Sequence, residues 1–354
     1  MSYRRFNKRE GVLTILLLLG SLILVLGIGG CDDDEETLFD DPSKTPSHKV
    51  SPANAQYAGQ AACVDCHVKK AAEYAQQVHG MDFRHHPSGR DLVAGSCAPC
   101  HTTGYNETSG YNAGGGLNQN LEGIGCEECH GPGANHGDDV TNINLVPDAR
   151  DTCWDCHVAS YKDIREGRAN PRTDQDLYNS VPGRISVHHP QAYGVAATYA
   201  YEWPGKVYTN HRHVEISNSC VTCHMYTGAE SHAQDMLEPD LEACIQCHPF
   251  SGSVEQLVEP TQEEMKHLLI RLGGEDAEHP GEPDEGATGG ALGAWATAKG
   301  INLTANADPD NPAVKAYKGA RHNYTLVLAD KSFGVHNYDY FRQLIEDSLD
   351  ALKL

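Results

Sequence analysis

Hydrophobic residues are concentrated towards the two ends of the chain. Near the N-terminus, Val12–Ile28 is an almost unbroken apolar run. Towards the C-terminus, apolar side chains recur at helical spacing and predict helices over 261–272, about 311–330 and about 337–353, the first of them capped at Thr261. The long middle of the chain shows little of the alternation that is typical of strands. We therefore predict a mainly α fold with much irregular loop and a set of C-terminal helices.

The N-terminal apolar run has the features of an export signal. Basic residues up to Arg9 precede the run, and Ile28-Gly29-Gly30-Cys31 ends it. This ending resembles a bacterial lipobox, in which the cysteine is lipidated and becomes the first residue of the mature protein. An uncleaved membrane anchor and a free thiol in a leader are the alternatives. We expect a lipoprotein signal peptide over 1–30, with lipidation of Cys31 and a membrane-anchored protein that faces the periplasm or the cell surface.

Composition indicates that the chain packs around a bound group. Aromatic residues make up 7 % of the 354 residues and the mean hydropathy is −0.50, which leaves little material for an ordinary apolar core. The 13 cysteines and 20 histidines are far more than such a core needs. The net charge of −22 becomes −25 without residues 1–30, which hold four basic residues and one acid. This charge argues against nucleic acid as a partner and favours basic protein partners.

Twelve of the cysteines form six Cys-x-x-Cys-His motifs, numbered here in chain order. Two thiols on one turn can each form a thioether to a haem vinyl group, and the adjacent histidine then becomes the proximal iron ligand. Zinc sites and disulfide frameworks do not require a histidine after each cysteine pair. We therefore predict six covalently bound haem c groups. The motifs are Cys63/Cys66/His67, Cys97/Cys100/His101, Cys126/Cys129/His130, Cys153/Cys156/His157, Cys220/Cys223/His224 and Cys244/Cys247/His248.

Each iron has a sixth coordination position, and fourteen further histidines are available for it. Methionine is the alternative ligand and would raise the reduction potential, but few methionines follow the signal segment. We therefore expect bis-histidine ligation. A helix is predicted from Val68 to Gln77, stopped near Gly80. His67 and His79 would then lie about 18 Å apart, so His79 must serve a different haem from His67.

Three stretches resemble a known multihaem family, the one that includes hydroxylamine-oxidoreductase electron acceptors and pentahaem nitrite reductases. They are Tyr57–Cys63 with Val78-His79, Cys97–His136 with its Cys126–His136 segment, and Gly334–Asn337. The resemblance implies that His79, His136 and His336 are distal ligands, and it suggests one of His188 and His189, of which we choose His189. His213, rather than His211, and His232 fit the pattern of ligands that flank motif 5, which completes six candidates.

Motif spacing predicts the organisation of the chain. Four of the five steps from one motif to the next are short, so neighbouring haems must lie close together, whereas the step from His157 to Cys220 is long. We expect an acidic, proline-containing tether over 31–56, a hexahaem domain over 57–250 with an inserted lobe at 158–219, and a helical region over 251–354 that packs on the haems. Residues 273–290 are predicted to form a loop.

Closely spaced haems with two fixed ligands favour electron transfer. We expect a membrane-anchored cytochrome without a catalytic residue that passes single electrons between redox proteins in anaerobic respiration. Its partners would be a quinol oxidase or dehydrogenase module or outer-surface cytochromes. The first alternative is an enzyme of the nitrite or hydroxylamine type with one open iron, although all six motifs end in histidine. The second alternative is a subunit of a cytochrome filament.

Overall fold

The fold is given by a computed structural model, and all the residues that it describes belong to one unit, Cys31–Leu354. The predicted signal peptide, Cys31 and nearly all of the tether lie outside the described residues. The structure describes residues 56–85, 89, 91–95, 97–112, 119–134, 153–158, 171–210, 212–216, 219–226, 239, 241–248, 253–287, 289–305 and 307–353.

Short helices and turns form the cysteine-rich part of the chain. Within the described ranges, β-structure is limited to isolated bridges, such as the one between Thr102 and Glu122. The prediction of a mainly α fold with much loop is therefore confirmed. The short helices are α1 (Gln60–Val64), α2 (Val68–Tyr74), α3 (Ala98–His101), α4 (Cys126–His130), α5 (Asp174–Leu177), α6 (Gln191–Val195), α7 (Ser219–His224) and α8 (Leu241–Cys244).

Four longer helices make up the C-terminal region: α9 (Glu255–Gly273), α10 (Gly290–Lys299), α11 (Pro312–Asp330) and α12 (Tyr338–Ala351). The predictions for 311–330 and 337–353 are confirmed by α11 and α12. At the start of α11, the Asn311 side chain accepts a hydrogen bond from the Ala313 N–H at 2.8 Å, and proline occupies the first helical position. Among the described residues, no helix combines the length and the apolar content that a membrane crossing requires.

Two helix predictions were wrong. Helix α9 begins at Glu255 and runs through Pro260, so Thr261 does not cap its start; instead, the Thr261 hydroxyl donates to the Leu257 carbonyl at 2.8 Å. Val254, at the start of α9, is buried, and tertiary packing of this turn outweighs the local effect of the proline. Helix α2 ends at Tyr74, and Val78–Gly80 forms a separate 3-10 turn rather than the end of a longer helix.

The largest apolar cluster joins these four helices to the segment around α6. Along α12, Tyr340, Phe341, Leu344 and Ile345 are fully buried, and their spacing of three and four positions places them on one face. Stacked Tyr193 and Tyr199, from the predicted inserted lobe, lie in the same cluster. The described part of that segment therefore contributes to the C-terminal core. A smaller cluster lies near motifs 1 to 3 and comprises Tyr57, Phe83, Val93, Ala98, Tyr111 and Leu121.

The end of α9 packs tightly on α11 through a glycine. A Cβ atom on Gly273 would lie 2.2 Å from the ring of Tyr324, which is fully buried and whose hydroxyl donates to the Asp284 carbonyl at 2.6 Å. We expect Gly273→Ala to lower the free energy of unfolding by about 1–3 kcal/mol, because the ring must move to admit the methyl group. Urea unfolding followed by circular dichroism measures this, and unchanged stability would contradict the packing.

Candidate functional site

Each Cys-x-x-Cys-His motif folds as a single helical turn. The backbone N–H groups of His67, His157 and His248 each donate to the carbonyl of the first cysteine of their motif at 2.9 Å. Motifs 3 and 5 lie wholly within α4 and α7. This i to i−4 bond places the two sulfurs and the imidazole on neighbouring positions of one turn, which is the arrangement that two thioethers and a proximal ligand require.

Most motif cysteines are thiols. Eleven of the twelve lie outside any disulfide.

Three of the predicted attachment cysteines, Cys66, Cys129 and Cys247, are exposed. The other nine motif cysteines are half-buried. Thioether formation by all twelve motif cysteines stays a prediction from the Cys-x-x-Cys-His pattern.

The exposure of Cys66 and Cys129 follows from how motifs 1 and 3 meet. The contact is made by the first cysteine of each turn, Cys63 and Cys126, which lie within hydrogen-bond distance of each other. The second cysteine lies three positions further along, at the end of a turn that is open to solvent, and the histidine that follows it is exposed in both motifs.

The motifs come together in pairs that are not adjacent in sequence. Motif 1 meets motif 3, where a hydrogen bond between the two thiols lowers the pKa of Cys63 to about 7 and raises that of Cys126. Motif 2 meets motif 4, where the Cys156 thiol lies 3.9 Å from the Cys100 carbonyl oxygen. Motif 5 meets motif 6: burial, followed by the nearby Cys244, raises the pKa of Cys223 to about 11.

Four motif histidines each face a second histidine. The ring centroids are 5.9 Å apart for His79 and His157, 6.5 Å for His101 and His189, 6.1 Å for His213 and His248, and 6.1 Å for His224 and His336. A metal–nitrogen bond of about 2 Å on each side places the centroids of two trans imidazoles about 6 Å apart. The four pairs therefore match the span of an iron held on both faces.

Each of these pairs offers two imidazoles, which is the number of axial ligands that a haem iron takes when a porphyrin ring fills its other four positions. Within the described ranges, no set of three or more His, Cys, Asp or Glu side chains is placed to hold a metal ion by itself. The paired imidazoles and the paired thiols beside them together fit haem c.

Partners on the second ring nitrogen orient three of these histidines. His157 Nδ1 lies 3.0 Å from Gln191 Oε1, His213 Nδ1 lies 3.1 Å from the Val335 carbonyl oxygen, and His336 Nδ1 lies 2.8 Å from Asp330 Oδ2. An acceptor at Nδ1 fixes the tautomer that leaves Nε2 free to bind a metal. Gln191 and Asp330 were missed in the sequence, because nothing in their local pattern links them to a distant histidine.

The surroundings keep two of the distal candidates uncharged. Burial, followed by the neighbouring His157 and His101, lowers the pKa of His79 to about 4. Desolvation, followed by His188 and His157, lowers the pKa of His189 to about 3. Neutral imidazole is the form that binds a metal, so both side chains are in the ligating form near neutral pH.

Further distal candidates have the following positions. The ring of His189 lies near both His101 and His157, the latter at 5.7 Å, whereas His188 contacts the His189 ring at 3.9 Å. His211 lies outside the described residues. So do His136 and His232, the two remaining distal candidates of the sequence.

Other histidines have structural or surface positions. His322, in the core of α11, lies with Nε2 2.6 Å from the Tyr199 carbonyl oxygen, so its ring holds two core segments together. His85 and His279 are exposed and bond to Asp82 and Asp276 respectively, three residues earlier in each case.

One part of the chain matches a family model. Residues 62–131, which hold motifs 1 to 3, match the family described as cytochrome c554 and c-prime. No curated protein matches the chain.

Two solved structures are similar to the chain. The outer cell wall cytochrome OcwA is 16 % identical, with 84 % of this chain and 99 % of that chain covered and a TM-score of 0.30. The undecahaem cytochrome from the S-layer of Carboxydothermus ferrireducens is 18 % identical, with 86 % and 70 % covered and a TM-score of 0.31.

The six motifs, the paired histidines and the family match together define the class of protein. The chain is a c-type cytochrome that carries several haems. The match to the cytochrome c554 and c-prime model spans a fifth of its length.

Proposed function

We propose that the protein is a hexahaem cytochrome that is exported, anchored to a membrane through a lipid on Cys31, and transfers single electrons between respiratory redox proteins. The observation that carries the proposal is the set of four histidine pairs, each of which brings a motif histidine to about 6 Å from a second histidine. Two fixed ligands on an iron favour electron transfer over substrate binding, because no coordination position is left open.

Motifs 1 and 3 complete the six haem sites of the proposal. His67 of motif 1 and His130 of motif 3 need distal partners, and we assign them His136 and His232, the two unplaced candidates of the sequence. If both serve as ligands, every iron is closed by two imidazoles. One iron without a distal histidine would instead support the enzyme alternative.

The residues of the chain would set the spacing of the haems, the orientation of their histidine ligands and the charge around them. Bound haem supplies a one-electron Fe(III)/Fe(II) couple. The thiol contacts between motifs 1 and 3, 2 and 4, and 5 and 6 hold their attachment points side by side. Gln191 connects motif 4 to the turn that bears His336, because its amide group donates to the Ala329 carbonyl at 3.2 Å. These contacts support close spacing within each pair of motifs and between motif 4 and the His336 site of motif 5.

The net charge of the chain and its N-terminal signal segment support the location and the partners that we propose. Removal of residues 1–30 would leave a mature chain with a charge of −25. Such a surface attracts basic redox proteins and makes encounters fast and dependent on salt. We propose either a membrane quinol-oxidising module or surface cytochromes as partners, with the chain facing the periplasm or the cell exterior.

Haem count and axial ligation test the proposal together. We expect a pyridine haemochrome assay and the intact mass of the exported protein to give six haems per chain, and EPR of the oxidised protein to show low-spin iron throughout. An N-terminal peptide that carries diacylglycerol on Cys31 would support the anchor. A bare or zinc-loaded chain would overturn the haem assignment, and a high-spin signal that nitrite or hydroxylamine perturbs would favour the enzyme alternative.

A further inference from the structure

Three of the histidines that face each other in the candidate sites have chemically different partners at Nδ1. The partner of His157 is the neutral amide of Gln191, and the partner of His213 is the backbone carbonyl of Val335. The partner of His336 is the carboxylate of Asp330, at 2.8 Å. These acceptors differ in charge, and a carboxylate strengthens the basicity of a metal-bound histidine more than an amide or a carbonyl does.

Asp330 is held in place as a buried carboxylate. Its side chain is fully buried, and it lies at the end of α11. One oxygen faces His336, while the other accepts hydrogen bonds from the Ser332 backbone N–H at 3.2 Å and from the Ser332 hydroxyl. The nearest basic residue along the turn, Lys331, is instead directed to the surface, where it pairs with Glu285 at 3.3 Å.

Close packing fixes the position of this carboxylate. A Cβ atom on Gly194 would lie 2.3 Å from Asp330 Oδ2, so only glycine at that position in α6 leaves room for the acid group. The Gln191 amide group donates to the Ala329 and Asp330 carbonyls at 3.2 and 3.4 Å, which fixes the backbone of the same turn. Asp330 therefore has little freedom to turn away from His336.

We propose that Asp330 is a positioning residue that lowers the reduction potential of the haem attached through Cys220 and Cys223, below its value with a neutral partner on His336. The proposal rests on the proposed function, in which His224 and His336 close the two faces of that iron. Two effects act in the same direction. The hydrogen bond makes His336 a more basic ligand, and the buried negative charge favours the oxidised, more positive state of the iron.

The same contacts give this site a particular place in the electron route. Gln191 bonds both to His157 of motif 4 and to the backbone of Asp330, so the Asp330 turn connects motif 4 with the His336 site of motif 5. A low reduction potential at the haem of motif 5 makes electron transfer to that haem unfavourable and electron transfer away from it favourable. Asp330 would therefore influence the direction of electron transfer between the haems of motifs 4 and 5, which residues 158–219 separate in the sequence.

The test compares two charge-removing substitutions in the haem-loaded full chain. Asp330→Asn keeps the size of the side chain and a hydrogen-bond acceptor but removes the charge, and we expect one of the six potentials in a spectroelectrochemical titration to shift to a more positive value. Glu285→Gln is the matched control, because it removes the same charge from the Lys331 pair without contact to His336. We expect a much smaller shift from this control. His336→Met identifies the affected haem, since methionine ligation raises its potential.

A second variant keeps the carboxylate. Ser332→Ala removes the hydroxyl that donates to the outer oxygen of Asp330 and that accepts a hydrogen bond from the His336 backbone N–H at 3.2 Å. The loss of the donor leaves more negative charge facing His336, and we expect the same potential to move in the opposite, negative direction. The proposal is overturned if a folded Asp330→Asn protein with six low-spin haems shows no shift larger than Glu285→Gln. It is also overturned if Asp330→Asn and Ser332→Ala shift the potential with the same sign. A wild-type haem count other than six would instead contradict the proposed function.

Discussion

In the hexahaem protein that we propose, replacing His79 with alanine is expected to convert one low-spin haem into a high-spin haem without loss of haem. The His79 ring lies 5.9 Å from the ring of His157, and the pair fits one iron. Without His79 that iron keeps a single imidazole, and its ligand field becomes too weak for the low-spin state. EPR of the oxidised protein should therefore show a high-spin signal for one iron, and added imidazole should remove that signal by filling the open position.

A neighbouring histidine supplies the matched control for this prediction. His85 is exposed and bonds only to Asp82 among the contacts described, so His85→Ala should leave all irons low-spin. His189 also lies 5.7 Å from His157, and it could move to that iron when His79 is absent. The high-spin iron would then be the one at motif 2, and the protein would still contain one high-spin iron. An entirely low-spin His79→Ala protein would exclude His79 as a ligand.

Local patterns in the sequence predicted the haem-attachment motifs and most of the C-terminal helices. A Cys-x-x-Cys-His motif occupies one turn, and the apolar spacing of α12 reports directly which face is buried. Helix α10 was missed because its glycines and alanines carry a weak amphipathic pattern. The start of α9 was placed too late because proline is normally a helix-terminating signal, and packing of the preceding turn could not be seen in the sequence.

The burial of each attachment motif could not be predicted in the same way. All six motifs have the same local pattern, yet Cys66 and Cys129 are exposed while Cys100 and Cys156 are half-buried. The difference arises from which side of each turn meets another part of the chain, and that depends on contacts between motifs that are distant in sequence.

The pairing of histidines depends on contacts between distant parts of the chain. His336 lies more than a hundred positions from His224, and no local periodicity relates them. The sequence argument that His79 serves a haem other than that of His67 used a continuous helix, which in fact ends at Tyr74. The structure nevertheless places His79 beside His157, because the chain after α2 folds back through the 3-10 turn.

Buried carboxylates were the functional residues least visible in the sequence. Asp330 and Glu127 stand in an acidic chain with 49 aspartates and glutamates, most of which have no reason to be singled out. Their roles follow from burial and from the donors that surround them, which only the folded chain brings together.

Glu127→Ala is expected to lower the free energy of unfolding by about 3 kcal/mol or more, the largest stability effect that we predict. Glu127 lies inside motif 3 and is 3 % exposed. Its carboxylate accepts hydrogen bonds from the backbone N–H groups of Ala58 at 2.8 Å, Gly59 at 2.7 Å and Gly133 at 2.6 Å. Truncation leaves three N–H donors without their acceptor and releases the chain before motif 1 from motif 3.

Urea unfolding of the haem-loaded protein, followed by circular dichroism, measures this loss, and Glu263→Ala is the control. Glu263 is an exposed residue of α9, so its removal should change stability by less than about 0.5 kcal/mol. Hydrogen exchange gives a local readout: the amides of Ala58, Gly59 and Gly133 should exchange slowly in the wild type and much faster in Glu127→Ala. Slow exchange at all three amides in the variant would show that Glu127 does not hold motif 1 to motif 3.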